Sequence, residues 1–315
     1  MTPQLKASLA FAWIGGFVFF ASGVYLTIRR RRLHPLLLVC VAAMSISWIE
    51  APYDWAMYAQ FDPSIPRMPS WWPLDMTWGG LPASVPVGYI SYFVTPALVG
   101  AALGRRLSAR FHCRLPITLL TTGLVVGFVW AFLFNGILGA RSGVFYYGRV
   151  IPGLAVWQGT KHQYPLYDAL AMGTMMMVFA YLLGRTDAEG RTAIETWAGA
   201  RTTNPVRATI LSLVGVILVA NVLYGAVFAP HLTAKLEGWE TAGPTARLFP
   251  GVPNQPRDGT AQSAPLRDRR PVFSQAISLS GADLALIPRS CGNCDRSFTV
   301  CSIVLFDPGE LICHA

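Results

Sequence analysis

The sequence predicts an all-helical membrane protein, a bundle of about six transmembrane helices followed by a poorly ordered C-terminal tail. Three observations predict it. Of 315 residues, 53% are hydrophobic and only 13% charged, with a mean hydropathy of +0.43; a soluble domain carries roughly 25% charged residues. Apolar runs of about 20 residues recur six times, each enough to cross about 30 Å of hydrocarbon. Arginines gather at alternate flanks of those runs, which is a topology signal and not a nucleic-acid stripe. The formal charge of +9 therefore carries no expectation of nucleic-acid binding.

The runs fall at 8–28, 35–57, 81–103, 116–138, 165–183 and 208–230. The first is preceded by a single charge, Lys6, and followed by Arg29 to Arg32. That order suits a retained spanning helix better than a cleaved signal. Arg105, Arg106, Arg110 and Arg114 separate runs three and four, and Arg185, Arg191, Arg201 and Arg207 separate runs five and six. The opposite flanks hold only Lys6, Arg67, Arg141, Arg149 and Lys161. The positive-inside rule then places both termini outside and the Arg-rich loops in the cytoplasm. A short surface helix is expected around 188–201, with Glu195 and Trp197 as interface anchors.

Between runs two and three the chain holds four prolines and Trp71, Trp72 and Trp78. The prolines forbid a regular helix, so the segment reads as a headgroup anchor or as a lid with Asp75 turned inward. The loop 139–164 carries Tyr146, Tyr147, Trp157, His162 and Tyr164 and is expected as a second wall. Residues 1–235 form the expected membrane domain. Residues 236–315 form the tail, rich in Pro, Gly, Arg and Ser and without sustained period. The tail holds Cys291, Cys294, Cys301 and Cys313. One Cys-x-x-Cys without a matching pair supports a zinc ribbon only weakly, and outside the cell such thiols form disulfides more readily.

The chemistry is expected late in run two, in Ser45-Ile-Ser-Trp-Ile-Glu50-Ala-Pro-Tyr-Asp54-Trp. Glu50 and Asp54 share one helical face, and Pro52 between them removes an N–H. Acidic residues at membrane depth face a protein interior or a wet cavity. Asp168 opens run five on the same outer side. Two readings stand open for these acids: proton transfer in a shared cavity, or hydrogen bonds that fix helix packing. The candidate catalytic set is Glu50, Asp54, Asp168 and Asp75. The candidate substrate-binding set is Trp48, Tyr53, Trp72, Tyr89, Tyr92, Asn135, His162, Tyr164 and Tyr167. Asn135 and Asn221 also suit interhelical bonding, and the Met172, Met175, Met176 and Met177 cluster suits packing. The histidines lack metal-ligand spacing, so no zinc, di-iron or haem site is expected. No phosphate-binding glycine loop occurs, so no nucleotide cofactor is expected either.

Four stretches together resemble one family: Trp48-Ile-Glu50-Ala-Pro-Tyr-Asp54, Trp72-Pro-Leu-Asp75, Gly88-Tyr89-Ile-Ser-Tyr92 and Asn204-Pro205-Val-Arg207. Over roughly 8–235 the chain is similar to the spirocyclase AveC-like family, named for the spiroketal-forming protein of avermectin biosynthesis. The resemblance implies a multispanning, cofactor-free cyclase of polyketide secondary metabolism. Such a protein closes two rings on one carbon of a dihydroxy-ketone, and one named member also dehydrates its product. The resemblance transfers no catalytic residue. The expected activity is acid/base ring closure of an amphiphilic polyketide or lipid-like substrate in the membrane, with Glu50 or Asp54 as acid and Asp168 or Asp75 as cation stabiliser. The alternative is a non-catalytic membrane protein that binds a lipid or small molecule, or a subunit of a membrane complex.

Overall fold

A computed structural model describes residues 1–69, 71–72 and 76–244. Asp75, residues 245–315 and the four tail cysteines lie outside the described residues. Six helices are long and apolar enough to cross a membrane: α1 (Pro3–Arg30), α2 (Pro35–Ala56), α3 (Val85–Phe111), α4 (Leu115–Arg141), α5 (Leu166–Gly184) and α7 (Pro205–Leu236). Each coincides with one of the six apolar runs. A short helix, α6 (Ala193–Gly199), lies where a surface helix was expected. Its Glu195 closes a capping box with Thr192, and Trp197 stacks under the Arg201 guanidinium at 4.1 Å.

The helix ends follow from local chemistry. Proline stands in the first turn of α1, α2, α3, α4 and α7, where its missing N–H leaves no bond unmade. His34 Nδ1 accepts the Leu36 N–H ahead of α2. Asn204 Oδ1 accepts the Val206 and Arg207 N–H groups ahead of α7. The Asn-Pro-Val-Arg stretch is therefore a helix cap. α2 is not continuous: α-helix over Pro35–Ser45 gives way to a 3₁₀ turn, Ser47–Ile49, and resumes as Glu50–Ala56. Pro52 falls in the first turn of the resumed segment, so the break precedes it.

The core of the bundle is α3, α4 and α5, packed backbone to backbone on small residues. A Cβ on Gly100 would stand 3.0 Å from the Gly123 Cα, and one on Gly173 would stand 2.8 Å from the Phe128 nitrogen. Such close approach is the usual source of attraction between helices in lipid, which offers no hydrophobic drive. The outer surface is apolar, with Ile14, Phe17, Leu218 and Val222 all exposed. α1 and α4 each carry a π-helical stretch, Phe11–Gly15 and Phe132–Arg141.

The loops on the Asp54 side carry paired backbone of their own. Short strands join them: β1 (Ala59–Phe61) pairs with β2 (Phe145–Tyr147), and β4 (Ala155–Val156) with β5 (Tyr164–Pro165). β3 (Arg149–Val150) pairs with β6 (Thr241–Ala242) beyond α7. Residues that cover a buried site must pair their backbone groups, and strand pairing does so without helix. α7 also outruns its expected end, continuing through Pro230 to Leu236. A tertiary contact holds its last turn, where Lys235 Nζ donates to the Trp55 carbonyl at 2.7 Å.

Just past α7, Glu240 is buried, and burial pushes its carboxyl up to about 7 against the pull of Lys235 and Arg149. The unfolded carboxyl titrates near 4.5, so folding takes up a proton between about 4.5 and 7. Its contribution is most favourable below the lower value and is lost as pH rises through the upper one. Glu240→Gln is expected to overtake the wild type in thermal stability as pH rises through this window, by roughly 3 kcal/mol at most. Melting curves in detergent across pH will read this. Gly173→Val is expected to cost about 1–3 kcal/mol or to prevent folding, seen as a lowered melting temperature or lost monodisperse protein.

Candidate active site

A cavity of about 150 Å³ opens beneath the paired loops, between α1, α2, α3, α4 and α5. Glu50, Asp54 and Asp168 all line it, together with Tyr53, Tyr89, Tyr92, Asn135 and Tyr147. The rest of its wall is largely apolar: Leu5, Leu9, Phe11 and Ala12 from α1, Phe134 from α4, and Phe61, Val144 and Phe145 from the loops. The broken geometry of α2 puts two acids and a tyrosine within one helical turn, with Tyr53 and Asp54 buried.

Each acid has a different hydrogen-bond environment. Glu50 Oε2 accepts from Tyr89, whose hydroxyl lies 2.8 Å from that of Tyr224 on α7. Asp54 Oδ2 accepts from Thr77 at 2.8 Å. Asp168 collects donors from four directions. Tyr53 reaches Oδ1 at 3.1 Å, while Asn135 at 3.1 Å, Tyr147 at 3.1 Å and Tyr164 at 3.0 Å reach Oδ2. Burial, with the Asp168 charge next, pushes the Tyr147 and Tyr164 phenols well above the ordinary tyrosine range. They therefore hold their protons and donate.

Among the expected substrate-binding residues, Tyr53, Tyr89, Tyr92 and Asn135 lie on the cavity, and the others do not. Trp48 stands on the exposed face of the 3₁₀ turn and donates to Asn221 Oδ1 at 2.7 Å. The turn rotates it away from Glu50. Trp72 packs against the core outside the cavity. His162 binds the Ala140 carbonyl at 3.1 Å. Tyr164 supports Asp168 from behind. Tyr167 accepts from the Ile151 N–H at 3.4 Å, with its ring against His231. Asn221 bonds between helices, donating to Ser45 at 3.1 Å.

Three contributors escaped the sequence reading, Thr77, Tyr224 and His231, and Tyr147 was expected in the loop wall but not as a partner of Asp168. Tyr224 and His231 did carry a signal, since seven-residue spacing in an aliphatic run puts both on one helix face. Thr77 and Tyr147 sit in loops, where no period exists to place them. Among the described residues no three His, Cys, Asp or Glu side chains are grouped so as to hold a metal ion.

A family model described as spirocyclase AveC-like matches residues 28–255. The match begins near the end of α1 and so leaves out most of the first helix. No curated protein and no solved structure matches the chain.

Asp168→Leu would strand buried donors that the carboxylate now satisfies. It is expected to cost on the order of 3–5 kcal/mol, whereas Asp168→Asn, which keeps one acceptor oxygen, costs about 1–2. Thermal melts of the two variants in detergent check the order.

Proposed function

The chain belongs to the spirocyclase AveC-like family, and from that premise we propose that it closes rings on a hydroxy-ketone chain by acid/base chemistry inside the membrane. The observation that carries the reading is the meeting of Glu50, Asp54 and Asp168 on one largely apolar, aromatic-rich cavity. An acid/base cyclase needs a proton donor and a carboxylate on the same guest. Three carboxylates in one low-dielectric hollow do not all stay ionised. Asp168, with its four donors, is the place for the charge, and Glu50 or Asp54, with fewer donors, holds the proton.

The first hydroxyl adds to the ketone carbon, and its proton ends on the former carbonyl oxygen. Glu50, with Asp54 beside it, then protonates that hydroxyl, and the C–O bond breaks to release water. The oxocarbenium ion faces the Asp168 carboxylate and the rings of Tyr53, Tyr89 and Tyr92, which favour a nearby cation. The second hydroxyl attacks, and Asp168 takes its proton. One water is lost and no net proton is consumed. Loss of a further proton beside the cation would give the dehydrated product instead.

The substrate class follows from the walls: an amphiphilic polyketide or lipid-like chain whose tails suit Leu5, Leu9, Phe11 and Phe134. With the Arg-rich loops cytoplasmic, the cavity opens toward the extracytoplasmic leaflet and both termini lie on that side.

The test uses the full-length protein in nanodiscs and a synthetic keto-diol whose hydroxyls are placed to close six-membered rings. Faster formation of one spiroketal stereoisomer than in empty nanodiscs is expected. Glu50→Gln and Asp168→Asn should each lower the rate by about 10²–10⁴ while circular dichroism stays unchanged. Binding of the keto-diol with no acceleration would assign the cavity to a non-catalytic binding protein.

A further inference from the structure

One buried histidine stands directly behind the cavity acids and has no part in the steps above. His231 lies on α7, 5% exposed. Its Nδ1 is 3.0 Å from the Val227 carbonyl. A carbonyl only accepts, so Nδ1 carries a hydrogen and Nε2 is the variable atom. Nε2 lies 3.3 Å from the Tyr53 hydroxyl, which lies 3.1 Å from Asp168 Oδ1.

The Tyr53 hydroxyl has one hydrogen and two neighbours. With a bare carboxylate on one side and a bare ring nitrogen on the other, only one link is closed. Both close together when the trio holds one additional proton. That proton resides on His231, with Tyr53 donating to Asp168, or on Asp168, with Tyr53 donating to His231. A concerted hop across the hydroxyl interconverts the two. The titratable groups around His231 are Asp168 and Tyr167 from α5 and Tyr53 from α2. Lys235, one turn along α7, points instead to the Trp55 carbonyl and the Tyr58 ring. The ring of Tyr53 is held against His231 at 5.0 Å and against Tyr224 at 5.8 Å, so its hydroxyl is fixed between the two partners.

We propose that Tyr53 and His231 form a proton relay behind Asp168, with His231 as the store. This rests on the reading of Asp168 as the base of ring closure. When the attacking hydroxyl forms its C–O bond, its proton passes to Asp168. Asp168 hands a proton to the Tyr53 oxygen while Tyr53 hands its own to His231 Nε2, leaving the carboxylate restored. Only O–H and N–H bonds change, and no electrons leave the trio. The proton returns by the same path and crosses the cavity to Glu50, whose own proton left with the water. His231 touches no reacting atom and is a positioning residue that acts through Tyr53 and Asp168.

The test needs no substrate. Full-length protein labelled with ¹⁵N-histidine is placed in nanodiscs, and the His231 ring signals are assigned by their loss in His231→Gln. At a fixed neutral pH, Asp168→Asn and Tyr53→Phe are each expected to lower the imidazolium-to-imidazole ratio of His231 about tenfold. Tyr53→Phe keeps the ring packing and removes only the hydroxyl. A packing role therefore leaves the ratio unchanged, and that result overturns the relay. If Tyr53→Phe yields no folded protein, Asp168→Asn decides by the same criterion. Altered His231 signals without keto-diol cyclisation would keep the relay and remove the cyclase reading. Cyclisation with unaltered signals would do the reverse.

Discussion

A carboxylate buried at the mouth of a membrane bundle is tolerated only if the protein supplies the donors that water would have supplied, and Asp168 is where this chain meets that demand. The residue sits in the first turn of α5, where the helix dipole also favours a negative charge. Its four donors come from α2, α4, β2 and β5. A single charge thus ties four segments to the start of a fifth. The break in α2 aims Tyr53, and the pairing of β1 with β2 brings Tyr147 over the site. Both local irregularities serve the same electrostatic need.

The rest of the bundle divides into a stiff part and a looser one. α3, α4 and α5 meet through glycines at backbone contact, and that leaves little room for rearrangement. On the other side the cavity is closed by the start of α1, against the π-helical stretch of α4. Phe11 meets Phe134 at 5.3 Å and Trp130 at 5.9 Å across that seam. π-helical turns recur at functional sites because they reposition side chains within an otherwise regular helix. Asp168 therefore stands on the rigid wall, Glu50 and Asp54 face it from α2, and the start of α1 supplies much of the greasy surface.

The two phenol chains give the acids unequal surroundings. Glu50 is linked through Tyr89 to Tyr224, and Asp168 through Tyr53 to His231. Both chains end on α7, whose aliphatic run conceals a polar-aromatic face in Tyr224, Phe228 and His231. In a dry interior such links are worth more than at a surface, and an unmet partner costs correspondingly more. In the proposed ring closure, that asymmetry would separate the protonation roles of neighbouring carboxyl groups.

Much of this molecule is legible without coordinates. Hydrophobic run length fixes the six helices because the bilayer leaves the backbone no alternative, and proline, asparagine and histidine at the run ends mark the caps. The acids at positions 50, 54 and 168 stand out because charge in an apolar run is costly enough to need a reason. Which partners they meet is not legible. Nothing local distinguishes Tyr53, which faces the cavity, from Trp48, which the 3₁₀ turn carries to the outside. Run length and charge cost are properties of consecutive residues. Hydrogen-bond partnership is decided between different segments of the chain, 115 residues apart for Tyr53 and Asp168, and only the packed bundle brings those segments together.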